Sequence, residues 1–245
     1  MSGHSKWATI KRAKGKTDAA RGKAFTKIGR EIAVAVKQGG GNPALNSKLR
    51  DIIAKAKALN IPNDNISRSI KKAGGEVNSI NYDTVIYEGY GPGGIAVIVE
   101  TLTDNKNRTA ADVRHIFDKF GGAMGTNGCV SYLFKTKGVM IVEKTAGSDD
   151  DALMLLALEC GAEDFSVSDG AYEITCKPED FSAVREALEQ KGITFLQNGI
   201  EKIPLDTVDV ADPEKFLKML NMFDDNDDVQ EVAHNALLPE TDGEE

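Results

Sequence analysis

Nine of the first thirty residues are lysine or arginine: Lys6, Lys11, Arg12, Lys14, Lys16, Arg21, Lys23, Lys27 and Arg30, with Asp18 the only acid among them. Positive groups at this density repel one another, and the chemistry open to them is the binding of a polyanion whose phosphates offset that repulsion. A single lysine reads as a solvated surface charge. The cluster, extended by Lys37, reads as a nucleic-acid-binding surface. Trp7 lies within it and has two readings, a plug that pins the amino-terminal arm to a core or a platform on which a base stacks.

No other constellation carries a reaction. A hydrolase or transferase needs a nucleophile with its base, a metal cluster or a phosphate loop, whereas His4, His115 and His234 fall in separate elements. Gly89, Gly91 and Gly94 fit G-x-G-x-x-G, but a strand follows where the dinucleotide motif requires a helix. The glycine-rich stretch from Gly121 to Gly128 is not followed by Gly-Lys-Ser/Thr and reads as a flexible connector. Asp149 to Asp151, and Asp224, Asp225, Asp227 and Asp228, raise a divalent metal and hence a metal-dependent nuclease. A helix first turn and a solvated loop account for them. Cys129, Cys160 and Cys176 are odd in number and widely spaced, and read as reduced thiols. The expectation is no enzyme, with no catalytic residue, metal, cofactor or small-molecule substrate.

The elements that position the basic residues follow from periodicity. Thr17 to the glycines at 39 to 41 reads as one helix, with Phe25, Ile28, Ile32 and Val36 on one side and Lys23, Lys27, Arg30 and Lys37 on the other, free for solvent or phosphate. A second helix starts with Asn42 as cap and Pro43 in its first turn, and carries Leu45, Leu49, Ile52, Ala56 and Leu59. Residues 63 to 73 form a third, with Ile66 and Ile70 inward and Arg68, Lys71 and Lys72 outward. Residues 1 to 16 have little to bury and read as a mobile arm. Through Gly75 there are 17 Lys and Arg against four acids, a net of +13, so the rest of this chain of net charge −8 stands at −21.

That acidic remainder alternates strands and helices. Thr84 to Tyr90 and Ile95 to Leu102 form a hairpin, residues 106 to 120 a helix, and Val130 to Phe134 resumes the strand pattern. From 139 the order is strand, helix capped by Ser148, strand (164 to 168), strand (171 to 176), helix (180 to 191) and strand (193 to 200), the β-α-β-β-α-β of a ferredoxin-like unit. Thr207 to Val210, a helix capped by Asp212 and a strand near Val229 then complete the earlier sheet. The fold class is α+β: an N-terminal three-helix domain (1–78), then two mixed α/β domains, one (79–136 plus 204–240) carrying the other, ferredoxin-like one (137–203) as an insertion. With no apolar run of membrane-spanning length and no signal-peptide centre, a cytoplasmic location away from membranes is expected.

The segments Gly3-His4-Ser5-Lys6-Trp7, Phe25 to Ile32, Asn60 to Ile66, Tyr87-Glu-Gly-Tyr-Gly-Pro92-Gly-Gly and Asp227-Asp-Val-Gln230 together resemble the YebC/PmpR family. The resemblance implies a three-domain α plus β protein and a cytoplasmic regulator, usually described as binding DNA to control transcription. Relatives that activate mitochondrial translation or act on stalled ribosomes imply RNA instead, as rRNA or mRNA on the ribosome. The family brings no catalytic residues. The basic helix face is mostly lysine and suits phosphate contact better than base reading.

Overall fold

A computed structural model describes residues 18–75, 81–168 and 170–238, with side chains from residue 22 onward. The chain is α+β, with a helical amino-terminal unit followed by two sheet-containing units. Helices α1 (Asp18–Gly39), α2 (Ser47–Ala58) and α3 (Asn63–Gly75) bury Ile28, Ile32, Ala35 and Val36 against Leu49, Ile52, Ala56 and Ile66. These positions recur at three- and four-residue spacing, so each helix offers the others one apolar stripe.

Two details of this bundle differ from the expected ones. The cap of α2 is Asn46, whose Oδ1 accepts from the Leu49 N–H while its Nδ2 donates to the Ala35 and Gly40 carbonyls. Asn42 instead turns the chain locally by accepting from the Ala44 N–H. Leu45 therefore precedes the helix and stands 82% exposed, and Phe25 is likewise exposed rather than inward.

The second unit is a sheet in the order β3 (Ala123–Met124), β1 (Asp83–Tyr90), β2 (Ala96–Thr103), β9 (Val229–His234). Strands β1 (Asp83–Tyr90) and β2 (Ala96–Thr103) form an antiparallel hairpin around a 3-10 turn at Pro92–Gly94. Gly93 and Gly94 have φ of 77° and 79°, a conformation that disfavours any residue with a Cβ. Helix α4 (Lys106–Lys119) leads to the two-residue strand β3 (Ala123–Met124), which pairs with the end of β1.

The third unit follows. Strand β4 (Phe134–Glu143), α5 (Asp150–Glu159), β5 (Asp164–Ser168), β6 (Ala171–Cys176), α6 (Phe181–Gln190) and β7 (Gln197–Pro204) give an all-antiparallel sheet in the order β5-β6-β4-β7. That order is ferredoxin-like. The α5 cap is Asp149, which accepts from the Ala152 N–H, not Ser148. The last strand begins at Gln197 rather than 193. The chain then passes through β8 (Val208–Asp209) and α7 (Pro213–Asp225) to β9 (Val229–His234), which pairs with β2, and to β10 (Ala236–Leu237), which pairs with β8. The ferredoxin-like unit is thus inserted between strands of the second unit's sheet.

Helices α4 and α7 cover one face of that sheet, packing Val113, Phe117, Phe216 and Phe223 on Val97 and Val99. Ala96 and Ile98, on the other face, meet Val130 and Phe134, which is why β2 is buried on both sides.

The glycine-rich stretch after α4 is not a flexible connector. Glu88, 6% exposed, accepts three backbone hydrogen bonds at 2.9 Å, from Gly128 to Oε1 and from Val130 and Ser131 to Oε2. Burial alone would raise the Glu88 pKa, but the three N–H donors hold it below the usual carboxylate value. The same bonds draw the chain into a 3-10 turn at Ser131–Leu133, so strand geometry begins only at Phe134 and not at Val130.

Candidate nucleic-acid interface

Eleven residues were expected to contact nucleic acid. Lys6, Trp7, Lys11, Arg12, Lys14 and Lys16 lie outside the described residues, and Arg21 falls in α1 with its side chain outside them. The four others share α1, and three of them meet carboxylates rather than solvent. Lys23 Nζ lies 2.5 Å from Asp225 Oδ1, Lys27 Nζ 3.8 Å from Asp224 Oδ1 and Arg30 Nη1 2.5 Å from Asp228 Oδ1. Helical spacing puts these cations in one row, and the end of α7 with the turn into β9 supplies a matching row of acids. The sequence shows both rows but not that they face each other.

Asp228 is the centre of this contact. Its Oδ2 accepts from Arg108 Nη2 and Thr109 Oγ1 at 2.7 Å and from Thr103 Oγ1 at 3.2 Å, while Arg30 also donates to the Leu102 carbonyl at 3.0 Å. Burial works to raise the Asp228 pKa, yet hydrogen bonds from Arg108, Thr109 and Arg30 bring it down to about 2. The Arg30 guanidinium stands 5.3 Å from the centre of the Tyr82 ring, a cation–π distance. The acidic run is therefore not a solvated loop at Asp228, and these carboxylates hold guanidinium and ammonium groups. Among the described residues no group of three or more His, Cys, Asp or Glu is arranged to hold a metal ion.

The helical unit is held a second time from α2. Asp51 accepts from Ser182 Oγ at 2.6 Å and from the buried Arg185 at 3.1 Å, and Arg50 donates to Glu186 at 3.0 Å. Both ties use the side of the bundle that faces the sheets.

Positive charge outside these contacts stands at five further positions. Lys37 is exposed at the end of α1. Arg68, Lys71 and Lys72 are exposed on α3, and Lys57 on α2, and none of the five forms an ion pair with a described residue. Ile66, Ile70 and Ala73 turn the other face of α3 into the bundle, which fixes Arg68, Lys71 and Lys72 outward. The ends of α1 and α3 adjoin, since a Cβ on Gly74 would stand 3.9 Å from Val36, next to Lys37. Arg68, Lys71 and Lys72 were legible as an outward row but were not among the expected contacts, because the density of charge before residue 37 drew the reading there. Among the described residues no helix is long and apolar enough to cross a membrane.

The model of the TACO1/YebC protein N-terminal domain matches residues 5–76, and that of the TACO1/YebC second and third domain matches residues 82–236. A probable transcriptional regulatory protein of Clostridium beijerinckii is 59% identical over 243 residues, 98% of either chain. One of Acetivibrio thermocellus is also 59% identical, over 96% of this chain and 98% of its own. Among solved structures, a conserved hypothetical protein of Aquifex aeolicus superposes with a TM-score of 0.82 at 43% identity, covering 94% of this chain and 96% of its own.

Proposed function

The chain belongs to the TACO1/YebC family, and from that membership we propose that it is a non-enzymatic regulator of gene expression that acts in the cytoplasm by binding nucleic acid. The observation that carries the reading is the exposed cationic surface of the helical unit, Lys37 with Arg68, Lys71 and Lys72, on a chain of net charge −8. A basic patch maintained against an acidic whole fits a phosphate backbone as partner. The amino-terminal arm, with Lys6, Lys11, Arg12, Lys14 and Lys16, adds further contacts in this reading, and Trp7 either packs or stacks. Lys23, Lys27 and Arg30 act instead as the seam to the acidic domains.

The relatives' name favours DNA and transcription. A second reading, RNA on the ribosome, is favoured by a specific observation: the longest helix, α1, has its cationic row against Asp225 and Asp228 and so cannot enter a major groove by that face while the seam is closed.

Titration of the full chain with duplex DNA and with RNA across a range of salt tests the proposal. With about five phosphates contacted, log affinity should fall against log salt with a slope of roughly −4 to −5 on duplex. Replacing Arg68, Lys71 and Lys72 by Ala should flatten it by about 2 to 3. An unchanged slope rejects this surface. Crosslinking in cells with sequencing of both DNA and RNA separates promoter peaks from rRNA enrichment.

A further inference from the structure

The two helices of the ferredoxin-like unit differ in what they show to solvent. Helix α6 turns Phe181, Val184 and Leu188 into the core, while Ser182, Arg185 and Glu186 meet Asp51 and Arg50 of α2. The helical unit thus meets its outer side. Helix α5 is different, since every residue from Ala152 to Leu158 is apolar. A helix that is apolar all round is ordinarily covered all round. Here Leu153, Leu156, Ala157 and Cys160, at three- and four-residue spacing, pack on the core.

The other apolar positions of α5 face outward. Leu155 is 59% and Leu158 47% exposed, and Ala152 is exposed as well. The three recur at three-residue spacing, so they lie on one side of the helix, away from the packed side. A single exposed leucine needs no explanation. Two neighbouring leucines and an alanine, where an ordinary surface helix carries polar residues, form a stripe. Val167 of β5, 45% exposed, stands on the sheet face that the helices cover: it pairs with Tyr172, whose hydroxyl donates to Asp150 at the start of α5.

The sequence that carries the stripe is acidic throughout. From Thr145 to Cys176 there are eight Asp and Glu and no Lys, Arg or His. Asp151 lies in the first turn of α5 and Glu159 at its end, with Asp164 at the start of β5, and all three are exposed. None of the three forms an ion pair with a described residue, whereas Lys144, just before the stretch, pairs with Asp150 at 2.7 Å. Negative charge of this density repels a phosphate backbone, and two copies meeting by this face would bring eight acids against eight. The complement is an apolar stripe framed by cations.

We propose that the outward face of α5 docks a basic, amphipathic helix of a partner protein, with its apolar side on Leu155 and Leu158 and its Lys or Arg residues against Asp151, Glu159 and Asp164. This contact is separate from the cationic surface of the helical unit and independent of what that surface binds.

The test uses the full chain and three labelled peptides of about 18 residues. One is a Leu/Lys helix with its leucines on one face, one has the same composition scrambled so that no face is apolar, and one has Glu in place of Lys. The first should bind about tenfold or more tightly than the scrambled peptide, and the Glu peptide should not bind. Leu155→Ser with Leu158→Ser should lower that affinity to the scrambled level at an unchanged melting temperature. Asp151→Asn with Glu159→Gln should flatten its salt dependence and keep the preference for an apolar face. Equal binding of the Leu/Lys and scrambled peptides, or a leucine variant that binds like wild type, overturns the proposal. A dimer in sedimentation that the leucine variant abolishes would assign the face to a second copy, and tighter peptide binding by a chain lacking residues 1–17 would assign it to the chain's own basic arm. Either result overturns a partner protein as the occupant.

Discussion

Arg30 and Asp228, 198 residues apart, meet with Nη1 2.5 Å from Oδ1. The two partners are not equivalent. Removing Asp228 leaves Arg30, Arg108, Thr103 and Thr109 facing an empty centre, whereas removing Arg30 leaves Asp228 with Arg108 and both threonines. Asp228→Ala should cost about 3 to 5 kcal/mol and Arg30→Ala about 1 to 3 kcal/mol in urea unfolding. Equal, small losses would mean that the network adds nothing to stability.

The same carboxylate sets a pH dependence. Its folded pKa of about 2 is below the ordinary 3.8, so the stabilisation is fully present above the ordinary value and is lost as pH falls from there through about 2. With solvent screening at Arg108, the effect is on the order of 1 to 2 kcal/mol. Melting curves between neutral pH and pH 2 should show a steep acid limb in wild type and a shallower one in Asp228→Asn. Identical limbs would place the acid sensitivity elsewhere.

The seam along α1 also bears on binding. Asp224→Asn with Asp225→Asn should release Lys23 and Lys27, increasing low-salt affinity for duplex or RNA and steepening the salt slope by about 1 to 2. Unchanged affinity in that variant would show that the acids do not limit access to this row.

Glu88→Gln keeps size but not chemistry. Whichever way the amide turns, its NH2 faces a backbone N–H that Glu88 now accepts, at a cost of about 1 to 3 kcal/mol. Hydrogen exchange at Gly128, Val130 and Ser131 should accelerate selectively. Protection at wild-type levels would show that the loop holds its shape without the carboxylate.

Leu49 and Leu45 measure what periodicity reveals. Both lie on the apolar side expected for α2, yet Leu49 is fully buried and Leu45 is 82% exposed. Leu49→Ala should cost about 2 to 5 kcal/mol and Leu45→Ala about 0.5 kcal/mol or less by chemical denaturation. Comparable losses would contradict the capping at Asn46.

The α+β class, the helix faces and the ferredoxin-like order were legible because a period of 3.6 or 2 is written locally in apolar residues. The cap was misplaced because Asn42 and Asn46 both precede apolar residues, and only tertiary bonds to Ala35 and Gly40 distinguish them. The cationic row of α1 was visible, but not its docking on Asp224, Asp225 and Asp228, since no local pattern encodes a partner some 200 residues away. Glu88 escaped for the same reason: its partners are backbone N–H groups of residues 40 to 43 positions on, which carry no side-chain signature.

The distance between the two halves of the seam has a consequence during synthesis. At roughly 5 to 20 residues per second, a ribosome needs about 10 to 40 s to travel from Arg30 to Asp228. The three-helix bundle has its own core and can close early, so its cationic row emerges without the carboxylates that later cover it. Throughout that interval the nascent chain carries a row of positive charge whose carboxylate partners have yet to be made.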